Sequence, residues 1–197
     1  MLVRGNILYV IRNIRSVMKN KEYKSFSWID PRIKIKKSAI EGKGMFAKEI
    51  IKKGEIAIVW GGIVVAKEKI KKGLIKVKKY SDVEIDDGIY LIDKQDYQGE
   101  VDDSLLNHSC NSNLWMENEI TISAKRDIIK GEELTLDYAL FSTELDHGLR
   151  ECNCNSKICR GVFSPNDWMN KELQNRHKNK FSPFINKKIK NINKEAK

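Results

Sequence analysis

One phrase occurs twice along this chain. Ala47-Lys48-Glu49-Ile50-Ile51-Lys52-Lys53-Gly54-Glu55-Ile56 is answered by Ala124-Lys125-Arg126-Asp127-Ile128-Ile129-Lys130-Gly131-Glu132-Glu133-Leu134, and in both copies the glycine falls seven residues after the alanine. Each copy reads as strand, apolar anchor, Lys-Gly turn and new strand, because glycine enters positive φ without steric cost. Two copies are too few for a solenoid. They predict two similar β-units packed in one fold of small sheets. Further strands are expected at Glu55–Trp60, Ile63–Val65, Ile89–Ile92, Asn113–Met116 and Glu119–Ala124, separated by Gly, Asp, Asn or Ser. Short strands with irregular connections point to a mostly β, α+β domain and away from a βαβ array. Ala66–Tyr80 reads as a helical or irregular insert interrupted by Gly73. A clearer helix is expected from Ser164 as cap and Pro165 in the first turn, with Met169 and Leu173 on one face. Asn186–Lys197 has little apolar content and is expected to fray.

A chain of 197 residues, 41% hydrophobic and 32% charged, suits one domain with extensions. Its longest apolar runs fall far short of the ~20 residues that span a bilayer. The basic N-terminal stretch holds only Ile7-Leu8-Tyr9-Val10-Ile11, too short for a secretory core. The expectation is a soluble intracellular protein with no membrane partner, cytoplasmic in preference to nuclear or chromatin-associated. The net charge of +10 is unevenly spread, with lysines crowded at Lys34–Lys53, Lys67–Lys79 and after Lys171. Between Asp82 and Asp103 the sign reverses: Asp82, Glu84, Asp86, Asp87, Asp93, Asp96, Glu100, Asp102 and Asp103 meet only Lys94. Such a segment is ill placed to grip phosphate but suits a lysine-rich peptide, the plainer alternative being a solvated charged loop. The basic runs lack interleaved aromatics and any helix-turn-helix, RRM or finger spacing, so nucleic acid is expected only as an accessory contact of the basic tails.

Four islands carry chemistry. Gly42-Lys43-Gly44-Met45-Phe46-Ala47 lets backbone approach a ligand closely, although a lone Gly-x-Gly is usually a turn. It is neither a Rossmann loop nor a P-loop, which need a third glycine or a Gly-Lys-Ser/Thr end. Asn107-His108-Ser109-Cys110 offers groups that can hydrogen-bond an adenine edge or an amino group, where a lone histidine is more often a satisfied core residue. Glu133-Leu134-Thr135-Leu136-Asp137-Tyr138 alternates like a strand, and Tyr138 alone would be a core tyrosine. Cys152-x-Cys154-x4-Cys159 joins Cys110 to make four cysteines. A Cys-x-Cys disulfide would be strained, which leaves one tetrahedral zinc site or reduced core thiols as the readings of the residues alone.

In this order and at these distances, from about Trp28 to Gly161, the islands resemble the SET-domain protein lysine methyltransferases. The resemblance implies a SET fold of several small sheets with pseudoknot-like threading, a zinc-bound post-SET segment and a C-terminal helix. It implies a basic N-terminal extension at 1–27, a SET domain at 28–139, a post-SET segment at 140–163, and a C-terminal helix and basic tail at 164–197. S-adenosyl-L-methionine would be held by the backbone of Lys43, Gly44 and Met45 and by Asn107 and His108. Tyr138 would point its hydroxyl at the nitrogen of a lysine in a protein or peptide substrate. One structural zinc would bind Cys110, Cys152, Cys154 and Cys159. The lysine ammonium, with a pKa near 10.4, must first lose a proton, which costs about 4–5 kcal/mol at neutral pH. A narrow apolar channel and a neighbouring sulfonium both lower that cost. Three places depart from the family's habit. Ser104-Leu105 stands where Arg-Phe or His-Phe is usual, Leu136 replaces an aromatic, and Trp60-Gly61-Gly62 sits where Tyr-x-Gly is common. Trp168 is expected to pack in the interior. The alternatives are a non-catalytic SET-like binding module and a basic nucleic-acid-associated protein.

Overall fold

The two echoing phrases pair with each other. In the computed structural model, which describes residues 22–75, 82–92, 103–143 and 150–195, Ile51 and Ile128 form an antiparallel bridge. They exchange N–H···O=C bonds of 3.0 and 2.8 Å, and both side chains are fully buried. The reciprocity extends outward. The N–H of Gly54 donates to the Ala124 carbonyl and that of Gly131 to the Ala47 carbonyl, both at 2.8 Å. Both glycines lie in the left-handed region, at φ +84° and +87°, where a side chain would be strained. Each turn is also closed by its own glutamate: Glu55 accepts from the Lys52 N–H at 2.7 Å, and Glu132 from the Ile129 N–H at 3.1 Å. The expectation of two similar β-units is met.

Around this centre lie small sheets. One holds β1 (Trp28–Ile29), β4 (Ile56–Val59), β10 (Thr121–Ala124) and β9 (Leu114–Met116), all antiparallel in that order. A second runs β2 (Ile33–Lys37), β3 (Lys43–Ala47), β11 (Glu133–Leu136) and β8 (Asn107–His108). Its last pair is parallel, with Thr135 opposite Asn107 and Leu136 opposite His108. Parallel neighbours require a long connection, here the stretch carrying β9, β10 and the second echo. A third sheet packs β5 (Ile63–Ala66), β7 (Ile89–Ile92) and β6 (Asp82–Asp86), and β12 (Arg150–Glu151) pairs with β13 (Val162–Phe163). The insert after β5 forms a short helix, α1 (Lys67–Lys71), with Gly73 following it at φ +65°. Residues 76–81 of that insert lie outside the described region.

Two expectations at the C-terminus need correction. Ser164 caps only a turn, and Asp167–Met169 is a 3-10 turn; the helix α2 spans Lys171–His177 and is capped by Asn170, whose side chain accepts from the N–H groups of Glu172 and Leu173. Met169 is therefore exposed while Leu173 is buried. The stretch expected to fray forms most of α3 (Pro183–Glu195). Phe184 and Ile185 anchor its first turn in the interior, and Ile189 packs against the same core one turn on. That core is continuous: Trp168, Leu173, Phe181, Phe184 and Ile185 join Leu134, Leu136 and Leu140 in one cluster. No described helix is long and apolar enough to cross a membrane.

Candidate active site

The glycine loop and Asn107 meet at the start of β11. The β3–β11 ladder pairs Phe46 with Glu133 and Met45 with Leu134, and the next residue of β11 pairs with Asn107 of β8. Gly44 thus faces a notch between β3 and β8. The Asn107 side-chain amide spans it, donating to the carbonyls of Glu41 and Lys43 at 3.1 Å each and to Glu133 Oε1 at 2.8 Å. Glu133 is held in turn by the Ser38 hydroxyl at 2.8 Å. A Cβ on Gly44 would lie 2.1 Å from Glu133 Oε1 and 2.9 Å from the Asn107 nitrogen, so only glycine permits this approach. Met45 turns its side chain wholly into the core and Lys43 is exposed, with the Lys43 carbonyl at the notch.

The parallel pairing brings Tyr138 beside His108. The Tyr138 hydroxyl donates to the Leu106 carbonyl at 2.7 Å, which fixes the direction of its O–H. His108 Nδ1 accepts from the Tyr138 N–H at 3.2 Å, which puts the ring proton on Nε2, 3.5 Å from Cys110 Sγ. Burial pushes the His108 imidazolium down to about 4, so the ring is neutral at physiological pH and its 3.8 Å approach to Asp137 is no ion pair there. Around Tyr138 lie His108, Phe141 and Phe163, with ring centroids 5.1, 5.5 and 5.6 Å away, and Trp60 packs edge-on against Phe141 at 4.9 Å. The setting is aromatic, with the Asp137–Arg160 pair behind His108.

The four cysteines converge. Their Sγ atoms all lie within 4.8 Å of one another, and Cys110 Sγ is 3.7 Å from Cys152 Sγ. A tetrahedron with Zn–S bonds of about 2.3 Å has edges of about 3.8 Å. Backbone N–H groups aim at the sulfurs, Arg160 at Cys110 (3.3 Å) and Gly161 at Cys159 (3.4 Å). As bare thiols they are poorly matched: burial pushes Cys110 up to about 11 and Cys152 higher, while at Cys154 the same burial is outweighed by hydrogen bonds with Ser156, giving about 6. The donor set suits a soft divalent metal.

The SET-domain family model matches residues 42–139. That stretch is a SET domain. The chain is 35% identical over 138 residues to human "Histone-lysine N-methyltransferase 2B", covering 63% of this chain and 5% of the relative. It is 33% identical over 147 residues to "Histone-lysine N-methyltransferase ATX2" of Arabidopsis thaliana, covering 68% and 13%. The chain thus spans only a small part of these relatives. Among solved structures, Arabidopsis thaliana SUVH6 in complex with SAM superposes with a TM-score of 0.54 at 19% identity, covering 68% of this chain and 33% of that one. The mostly β SET fold expected from the sequence is the fold observed.

Several residues of this SET domain's site escaped the sequence reading. Asp137 is fully buried and receives both Nη atoms of Arg160, at 2.7 and 2.8 Å, so that despite burial its carboxyl stays well below the usual carboxylate range. Arg160 also holds Asp167 at 2.8 Å. Phe163 stacks on His108 at 4.5 Å. The one available signal was the adjacency of Arg160 to Cys159 and of Asp137 to Tyr138. The acidic segment also reads differently: Glu84 is buried and accepts from the Thr143 hydroxyl at 2.6 Å, and Asp87 pairs with Lys188 of α3 at 2.7 Å. Asp93–Asp102 lies outside the described residues.

Proposed function

We propose that this protein is a protein lysine N-methyltransferase that uses S-adenosyl-L-methionine and carries one structural zinc. The observation that carries this reading is the seating of three islands on one strand, β11. Its start closes the Gly44–Asn107 notch, and its end delivers Tyr138 into the aromatic cluster. S-adenosyl-L-methionine would supply the methyl group from its sulfonium. Lys43, Gly44 and Met45 would hold its aminoacyl end through backbone groups, with the loop kept in place by Asn107. Because both His108 ring nitrogens are engaged within the protein, His108 would meet the nucleoside through its backbone.

A substrate lysine would enter among Tyr138, Phe141 and Phe163. The apolar surroundings favour its neutral amine, and the Tyr138 hydroxyl, already donating to Leu106, can accept from that amine and aim its lone pair at the methyl carbon. Positioning, not strong base catalysis, is the tyrosine's task. Zinc on Cys110, Cys152, Cys154 and Cys159 would bind the post-SET segment against the pocket. A start of the SET unit near residue 28 is supported by β1 and β2 joining the two main sheets ahead of the matched region. The substrate is a protein lysine. The relatives' names favour a histone and a nuclear setting, and no observation favours the cytoplasm. Nucleic acid remains an accessory contact of the basic tails.

The test is incubation with methyl-labelled S-adenosyl-L-methionine, a histone panel and cell extract, followed by mass spectrometry. Label on a specific lysine is expected. Absence of label, together with no calorimetric heat from the donor, overturns the reading.

A further inference from the structure

Arg160 stands between the four-cysteine site and the turn that carries Tyr138. It directly follows Cys159, and its backbone N–H donates to Cys110 Sγ at 3.3 Å. Its guanidinium grips Asp137 with Nη1 and Nη2 and reaches Asp167 Oδ2 with Nε at 3.0 Å. Asp137 is no ordinary surface partner. It is fully buried, and its Oδ1 also accepts from the Ala139 N–H at 3.1 Å, capping the 3-10 turn Tyr138–Leu140. His108 and His177 lie farther from Asp137, each at 3.8 Å, and hold its carboxyl down less than the Arg160 hydrogen bonds do. The counter-charge in direct hydrogen-bond contact with this buried carboxylate therefore comes from the segment that the cysteines close. Removing such a counter-charge leaves one of the costlier defects a protein interior can hold. A lysine would not substitute, since one ammonium lacks the planar fork that meets both Asp137 oxygens and Asp167 at once.

We propose that Arg160 is a positioning residue that couples closure of the four-cysteine site to placement of the Tyr138 hydroxyl, so the turn forms in its competent geometry only when the post-SET segment is bound down. This rests on reading Tyr138 as the group that aims the substrate amine.

Two readouts test it. The first needs no activity: hydrogen exchange of the zinc-loaded full chain, before and after chelation. In the wild type, chelation raises exchange in peptides covering 134–142 together with those covering 150–163. In the Arg160→Met/Asp137→Asn double variant, which removes both charges, the 134–142 response to chelation is lost. The idea is overturned if that response is absent in the wild type or undiminished in the double variant. The second readout is kinetic. Arg160→Met keeps its zinc and its donor affinity but loses about tenfold or more in kcat with little change in KM, and adding Asp137→Asn recovers most of that loss. A double variant no better than the single one sinks the proposal. If Arg160→Met fails to fold, the double variant alone carries the comparison with wild type. Should the wild type transfer no methyl group, the enzymatic reading fails, while the exchange experiment still decides the coupling.

Discussion

At the scale of single residues, Tyr138 and Gly44 carry different burdens. The Tyr138 hydroxyl donates its proton to the Leu106 carbonyl, and in the proposed reaction its oxygen orients the incoming amine. Tyr138→Phe should therefore leave the calorimetric heat of S-adenosyl-L-methionine binding nearly unchanged. Methyl transfer should fall about 10²–10³-fold, the scale of losing one positioned polar group at a reacting centre. Gly44→Ala acts instead at the proposed donor loop. The new Cβ must displace a Glu133 carboxylate that Ser38 and Asn107 both hold, so the cost is not that of a free side chain swinging aside. Donor affinity should drop about tenfold, with a lower Tm, whereas Gly42→Ala, which meets nothing within 4 Å, should cost only the strain of its φ of +47°. The pH profile separates the titrating groups. Below its pKa the neutral fraction of a lysine rises tenfold per pH unit, so single-turnover rates should climb toward alkaline pH. His108, held near 4 by burial, should add no inflection between pH 5 and 8. A limb near pH 6.5 would show an imidazole titrating at the site and would contradict the neutral ring.

At the scale of elements, the echoed turns make a symmetric prediction. Gly54 and Gly131 have nearly the same positive φ and open space where a Cβ would go, so alanine at either pays conformational strain alone. Each substitution should lower the urea midpoint by a similar amount, equivalent to about 1–2 kcal/mol. Markedly unequal losses would mean the two turns are not equivalent supports. These turns were readable in advance because a Lys-Gly step with positive φ is a local requirement. The short strands were readable for the same reason, as apolar runs bounded by turn formers. What local chemistry could not reveal was partnership. Nothing in either phrase says that Gly54 bonds Ala124 and Gly131 bonds Ala47, or that β8 lies parallel to β11. The helix start illustrates the same limit. Ser164 and Asn170 are both good caps, and the choice falls to Asn170 because Trp168 and Leu173 are the side chains that reach the core. Arg160 and Phe163 were hidden likewise: their partners Asp137 and His108 are distant in sequence.

At the scale of the whole molecule, the region matching the SET family is not a self-sufficient unit. The match ends at residue 139, yet the chain beyond it supplies three of the four clustered cysteines, the counter-charge of Asp137 and one wall of the aromatic cluster. It also supplies Phe163, Trp168, Leu173, Phe181, Phe184 and Ile185, all buried. Each such side chain contributes about 1.5–3 kcal/mol through burial, and together they match or exceed the ~5–15 kcal/mol by which a domain is usually stable. A chain cut after residue 139 should therefore show no cooperative thermal transition and no heat with S-adenosyl-L-methionine, although every proposed donor contact remains in it. Zinc removal from the full chain should be milder. It frees the cysteine segment but leaves Phe181, Phe184 and Ile185 packed under Leu140, so calorimetry should still find a cooperative transition at lower Tm while methyl transfer is lost. If the full chain instead unfolds outright on chelation, the metal, and not the C-terminal helices, is what keeps the last third of the molecule on the core.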